Sequence, residues 1–141
     1  SALENNDLLF KKMNQYQNFN QFKEKYIIVN KVGFLSKLYA QSTIAYVGGG
    51  FSKSGIHNII EPAAASNPVI FGSNFLNSNK SDAEGLIDVS GGFSVDSYEL
   101  FTEKINWLLD KNNYNNSSKN CKSFVTENSG STEKILKELY E

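Results

Sequence analysis

From residue 26 to residue 109 the chain alternates short, β-rich apolar runs with segments of helical spacing, and this alternation constrains its fold more than any other feature. Tyr26-Ile27-Ile28-Val29 reads as a strand, and Leu35, Leu38 and Tyr39 after Gly33 have the spacing of a helix. Thr43 to Val47 is a second strand that stops at glycines. Ile59 to Ala65 suits a helix, and Pro68 to Phe71 followed by Gly72 suits a buried strand of the parallel type. Asp82 to Ile87 reads as a short helix and Gly92 to Val95 as a short strand. Asp96, with Glu99 three residues on, forms a capping-box signature, opening a helix whose Leu100, Phe101, Ile105, Leu108 and Leu109 share one face. Strands alternating with helices predict an α/β fold: a Rossmann-like parallel sheet with right-handed crossovers, flanked by helices on both faces.

The flanks are less regular. Residues 1–25 form a polar, partly helical N-terminal segment with a loose helical pattern around Leu8, Leu9, Phe10 and Met13, and residues 26–141 form the α/β domain. Asn112 to Lys119, asparagine at four of eight positions, reads as a turn or loop, followed by a helix to about Glu127. After Ser129-Gly130-Ser131 a final amphipathic helix is expected, with Ile135, Leu136, Leu139 and Tyr140 on one side.

Composition narrows the function classes. A chain of 141 residues, 40% hydrophobic and 21% charged, suits one folded domain. The net charge is −1 and the 14 basic residues are all lysines spread along the chain, so no footprint for a nucleic-acid backbone stands out. Cys121 stands alone, without Cys or His at metal-ligand spacing, which fits a reducing compartment. No apolar run approaches the ~20 residues of a membrane helix. The chain opens in a polar stretch rather than at a methionine, as an excised piece of a longer protein would.

Parallel α/β sheets bind ligands at the carboxyl ends of their strands. Gly48 to Pro62, GGGFSKSGIHNIIEP, lies at such an end and holds three consecutive glycines and the sole histidine. Glycines let a ligand approach the backbone, and the start of the following helix offers free N–H groups to an anion. His57 is placed to donate to a phosphate or carboxylate or to act as acid or base, the alternative being a loop histidine satisfied by carbonyls. Asn58 and Glu61 fit N-cap and N3; if the helix instead starts at Pro62, Glu61 caps it at the mouth of the site and accepts from sugar hydroxyls. Asn74 follows the third strand at the same sheet edge, where it either reaches the same ligand or forms a turn. Lys53 and Lys80 either pair with phosphate or are simply solvated. No Walker motif, no G-x-G-x-x-G and no nucleophile elbow is present.

Val32-Gly33-Phe34-Leu35-Ser36-Lys37-Leu38-Tyr39, Ala45-Tyr46-Val47-Gly48-Gly49-Gly50-Phe51, Gly55-Ile56-His57-Asn58-Ile59-Ile60-Glu61-Pro62-Ala63 and Pro68-Val69-Ile70-Phe71-Gly72 occur in this order. Over roughly residues 26 to 140 the chain resembles the C-terminal half of the 3-deoxy-D-manno-octulosonic acid (Kdo) transferases. It departs from many of them at Gly55-Ile56, where they have Gly-Gly before His-Asn, and it fits their pattern poorly from Leu76 to Asp82, so Lys80 receives no role.

The resemblance implies a glycosyltransferase of the GT-B type, with two Rossmann-like lobes of which the C-terminal one holds the nucleotide of CMP-Kdo. Gly49, Gly50 and Gly55 then shape the donor loop, His57 and Asn58 approach the phosphate or Kdo end, and Glu61 meets the nucleotide sugar. The full-length enzyme would move Kdo to a lipid A precursor in lipopolysaccharide biosynthesis, at the cytoplasmic face of the bacterial inner membrane. It would need no metal and no cofactor beyond its donor substrate. The general base, acceptor site and membrane anchor would lie in an N-terminal lobe, and the first strands of the C-terminal lobe would precede this chain, so the piece alone would be inactive. Two rivals remain: the donor lobe of a GT-B enzyme using a UDP-sugar, and a non-catalytic α/β interaction module.

Overall fold

The structure, a computed structural model, describes residues 10–12, 25–30, 32–75 and 79–129. The chain divides into two compact units, Ser1–Leu35 and Ser36–Glu141, where the sequence reading draws its boundary at 25–26. In the first unit β1 (Phe10–Lys12) pairs in parallel with β2 (Tyr26–Ile28), Phe10 opposite Tyr26 and Lys12 opposite Ile28. Phe10 is therefore in a strand and not in the helix its neighbours' spacing implied. The helical pattern expected at Leu8, Leu9 and Met13 lies outside the described residues.

Helix α1 (Leu35–Tyr39) starts at the last residue of the first unit. The second unit then alternates β3 (Ala45–Val47), α2 (Ile60–Ala64), β4 (Val69–Gly72), α3 (Lys80–Asp88), β5 (Gly92–Val95), α4 (Tyr98–Leu108) and α5 (Lys111–Asn128). Its three strands form one parallel sheet in the order β3-β4-β5, with Val47 opposite Phe71 and Gly72 opposite Val95. The expected α/β architecture is the one observed.

All four residues of β4 are buried, as a central parallel strand between two helical layers requires. Val69 and Phe71 face a core with Val47, Ile59, Ala63, Ala83, Leu86 and Cys121, while Ile70 faces the opposite one with Val95 and Leu108. Phe101 and Ile105 of α4 cover that second face.

Helix boundaries correct the sequence reading at three points. The cap of α4 is Ser97, whose hydroxyl accepts from Leu100 N at 3.3 Å, rather than Asp96. Leu109 closes that helix and is 72% exposed, so the buried face stops at Leu108. Asn112 to Lys119 is helical: Asp110 Oδ1 accepts from Asn112 N at 2.9 Å and Asn113 N at 3.1 Å, starting α5 where composition indicated a loop. The buried stripe of α5 includes Ser117 and Cys121, whose small polar side chains hide the helical period from a hydrophobicity reading. The final helix expected over Ile135 to Tyr140 lies outside the described residues.

Candidate donor site at the sheet edge

The carboxyl end of β3 runs into a loop that goes out and returns on itself. Gly50 N donates to Gly55 O at 2.8 Å and His57 N to Gly48 O at 3.2 Å, and Gly49 and Ile56 form an antiparallel bridge. Gly49, Gly50 and Gly55 have φ of 90°, 76° and 75°, in the left-handed region where a side chain is strained. Ile56 and Ile59 anchor the returning limb, buried to 4% and 0% exposure, so the residues between them turn outward. His57 and Asn58 are exposed, and Glu61 is half-buried on the first turn of α2.

The start of α2 differs from an open anion cradle. The helix has five residues, and Asn58 Oδ1 already accepts from Ile60 N at 2.9 Å and Glu61 N at 3.3 Å. Asn58 is thus the capping side chain, and the alternative start at Pro62 does not occur. Glu61 lies near Tyr39 of α1: burial pushes the Tyr39 phenol above its usual 10.0, and the negative charge of Glu61 adds to this. Tyr39, which the sequence reading left out of the site, therefore lies within electrostatic reach of the carboxylate.

The connection after β4 braces the loop. Asn74 N donates to Gly50 O at 2.8 Å, and its side-chain nitrogen to Ser52 O at 2.6 Å, so its amide holds backbone. Gly50 and Gly72 pass in backbone contact, a Cβ on Gly72 falling 2.6 Å from the Gly50 carbonyl carbon. Lys53 is exposed in the loop, and Lys80 on α3 pairs with Glu84 at 3.8 Å, both largely solvated. Among the described residues no group of three or more His, Cys, Asp or Glu gathers as a metal site.

On the α4 side of the same loop lies a cavity of about 400 Å³ lined by Tyr46, Phe51, Val95, Asp96, Ser97, Tyr98 and Phe101. Tyr46 meets Phe101 edge to face at 5.5 Å. The sequence reading missed this cavity, although its four aromatic residues were visible, because they come from three separate segments.

No family model matches the chain. Among curated proteins it is similar to a bifunctional glycosyltransferase/methyltransferase of Fusobacterium nucleatum, 34% identical over 129 residues, 91% of this chain and 20% of that protein. It is also similar to 3-deoxy-D-manno-octulosonic acid transferases. That of Rickettsia bellii is 32% identical over 79% of this chain and 26% of its own length, and that of Chlamydia trachomatis 32% identical over 96% and 32%. The chain thus spans about a fifth to a third of the length of these relatives. Among solved structures, the C-terminal CMP-Kdo binding domain of WaaA from Acinetobacter baumannii superposes with a TM-score of 0.74. That match covers 87% of this chain and 64% of that one at 19% identity, a likeness of fold. By sequence the chain is therefore a relative of the 3-deoxy-D-manno-octulosonic acid transferases, matching a part of their length, and by fold it matches the C-terminal domain of one solved structure.

Proposed function

We propose that this chain is the donor-binding half of a Kdo transferase and holds CMP-Kdo at the carboxyl edge of its β3-β4-β5 sheet. The observation that carries the reading is the self-closed glycine loop, which presents His57 and Asn58 outward beside the half-buried Glu61. In support, relatives from Rickettsia bellii and Chlamydia trachomatis are named as 3-deoxy-D-manno-octulosonic acid transferases, and the structure of similar fold as a CMP-Kdo binding domain. In this reading Glu61 accepts hydrogen bonds from the nucleotide sugar, and the imidazole of His57 faces the phosphate. Asn58 holds the first turn of α2 in place, and Asn74 keeps the outgoing limb of the loop in position.

In the transfer an acceptor hydroxyl attacks the anomeric carbon of Kdo as CMP departs. Donors fixed near the phosphate stabilise charge that grows on the leaving group, and fixed donors cost no reorganisation at that moment. The base that deprotonates the acceptor lies outside this chain. The full enzyme acts on a lipid A precursor at the cytoplasmic face of the inner membrane, and its donor is its only small-molecule requirement.

Calorimetric titration of the full-length protein with CMP, CMP-Kdo and UDP tests the reading. Binding of CMP and CMP-Kdo in preference to UDP is expected, and a preference for UDP would overturn it in favour of another nucleotide-sugar donor. Glu61→Ala and His57→Ala should each weaken CMP-Kdo binding at least ~10-fold, about 1.4 kcal/mol, as expected for a lost bond to a charged group. Transfer rates unchanged in both variants would support a non-catalytic role for the loop.

A further inference from the structure

We infer that Asn79 is a positioning residue of the donor site: with Asn74 it clamps both limbs of the β3–α2 loop from the connection between β4 and α3. The inference rests on the donor reading above. Asn79 occupies the N-cap position of α3, where an asparagine ordinarily accepts from its own helix, yet it makes no side-chain cap bond. Its carboxamide nitrogen is turned away, toward Ile56 O at 3.4 Å and His57 O at 3.3 Å. Its backbone is left-handed, with φ of 56°, a conformation asparagine tolerates better than most residues with a side chain.

Two consecutive carbonyls directed at one donor fix the peptide group between them. His57 N is already held by Gly48 O, so both backbone polar groups of His57 are engaged and only its side-chain torsions are free to vary. The outgoing limb is held in the same way: Gly50 N donates to Gly55 O, and Gly50 O accepts from Asn74 N. Three residues with positive φ would leave an isolated loop with many conformations; the two asparagines, contributed by one connection, select a single one. A loop ordered before its ligand arrives does not lose that freedom on binding, so the clamp raises affinity without touching the ligand.

Asn79→Gly separates this role from a structural one, because glycine satisfies the left-handed backbone and removes only the donor. In the full-length protein Asn79→Gly should keep the wild-type thermal midpoint while its Kd for CMP rises tenfold or more. Asn79→Asp, which sets an acceptor against the two carbonyls, should weaken CMP at least as much. Wild-type CMP affinity in Asn79→Gly would overturn the clamp. If the wild-type protein itself bound no CMP, the donor reading would fail, and hydrogen exchange at the amides of Gly55 to Asn58 would then decide the clamp. Faster exchange in Asn79→Gly supports it, and equal rates overturn it.

Discussion

A methyl group on Gly72 would lie 2.6 Å from the carbonyl carbon of Gly50 and 2.7 Å from Gly49 O, and neither backbone atom can rotate aside. Gly72→Ala should therefore destabilise the protein by about 1–3 kcal/mol, the usual cost of overpacking, read as a lower urea midpoint. From the sequence Gly72 is only the end of a strand; its need to be glycine arises from Gly50, brought against it by β3–β4 pairing. Cys121 shows the same dependence. Burial raises its thiol to about 12, and the sulfur donates to Gly91 O at 3.1 Å. The folded state thus holds the proton more tightly than the unfolded chain, whose thiol titrates near 9.0. The stability from Cys121 is complete below that pH and is lost as pH rises toward about 12. Denaturation measured over this range should show a steeper alkaline loss for the wild type than for Cys121→Ala.

Among the elements, α5 departs most from its sequence. Four asparagines in its first half argue for a loop, but the Asp110 carboxylate satisfies two of the amides that a helix start leaves unpaired. Further along, the helix is tied to neighbouring turns: Ser118 Oγ donates to Ser66 O at 2.7 Å and Asn120 Nδ2 to Val89 O at 2.6 Å. Polar residues that weaken an isolated helix thus stabilise this one through contacts 31 to 52 positions away. Asp110→Ala should cost about 1–2 kcal/mol in chemical denaturation, and Asp110→Ser should recover most of it, because serine also caps well. By contrast α4 was legible: Leu100, Phe101, Ile105 and Leu108 keep the helical period, and its cap moved by one residue, to Ser97. Neighbouring capping candidates differ little in sequence, and only backbone geometry selects between them.

For the molecule as a whole, β4 joins the two cores of the second unit. Phe71 is fully buried and meets Phe75 edge to face at 5.8 Å. Phe71→Ala should cost about 3–5 kcal/mol. That is a large share of the ~5–15 kcal/mol that holds a domain together, so the thermal midpoint should drop sharply and CMP binding should fade with the fold. The sequence by itself determined the parallel α/β class, since an uninterrupted Val-Ile-Phe run closed by glycine, set between helical periods, has few other ways to bury its surface. It also placed the glycine loop at a strand end, where ligand sites lie in such sheets. The tertiary structure decided how that loop is held. Asn58, exposed at the surface, caps α2, and Asn74 and Asn79, 22 residues from Ser52 and His57, hold the loop by hydrogen bonds. Local periodicity records which face of a segment is buried, whereas a hydrogen bond between distant residues exists only once the strands have paired and brought its two ends together.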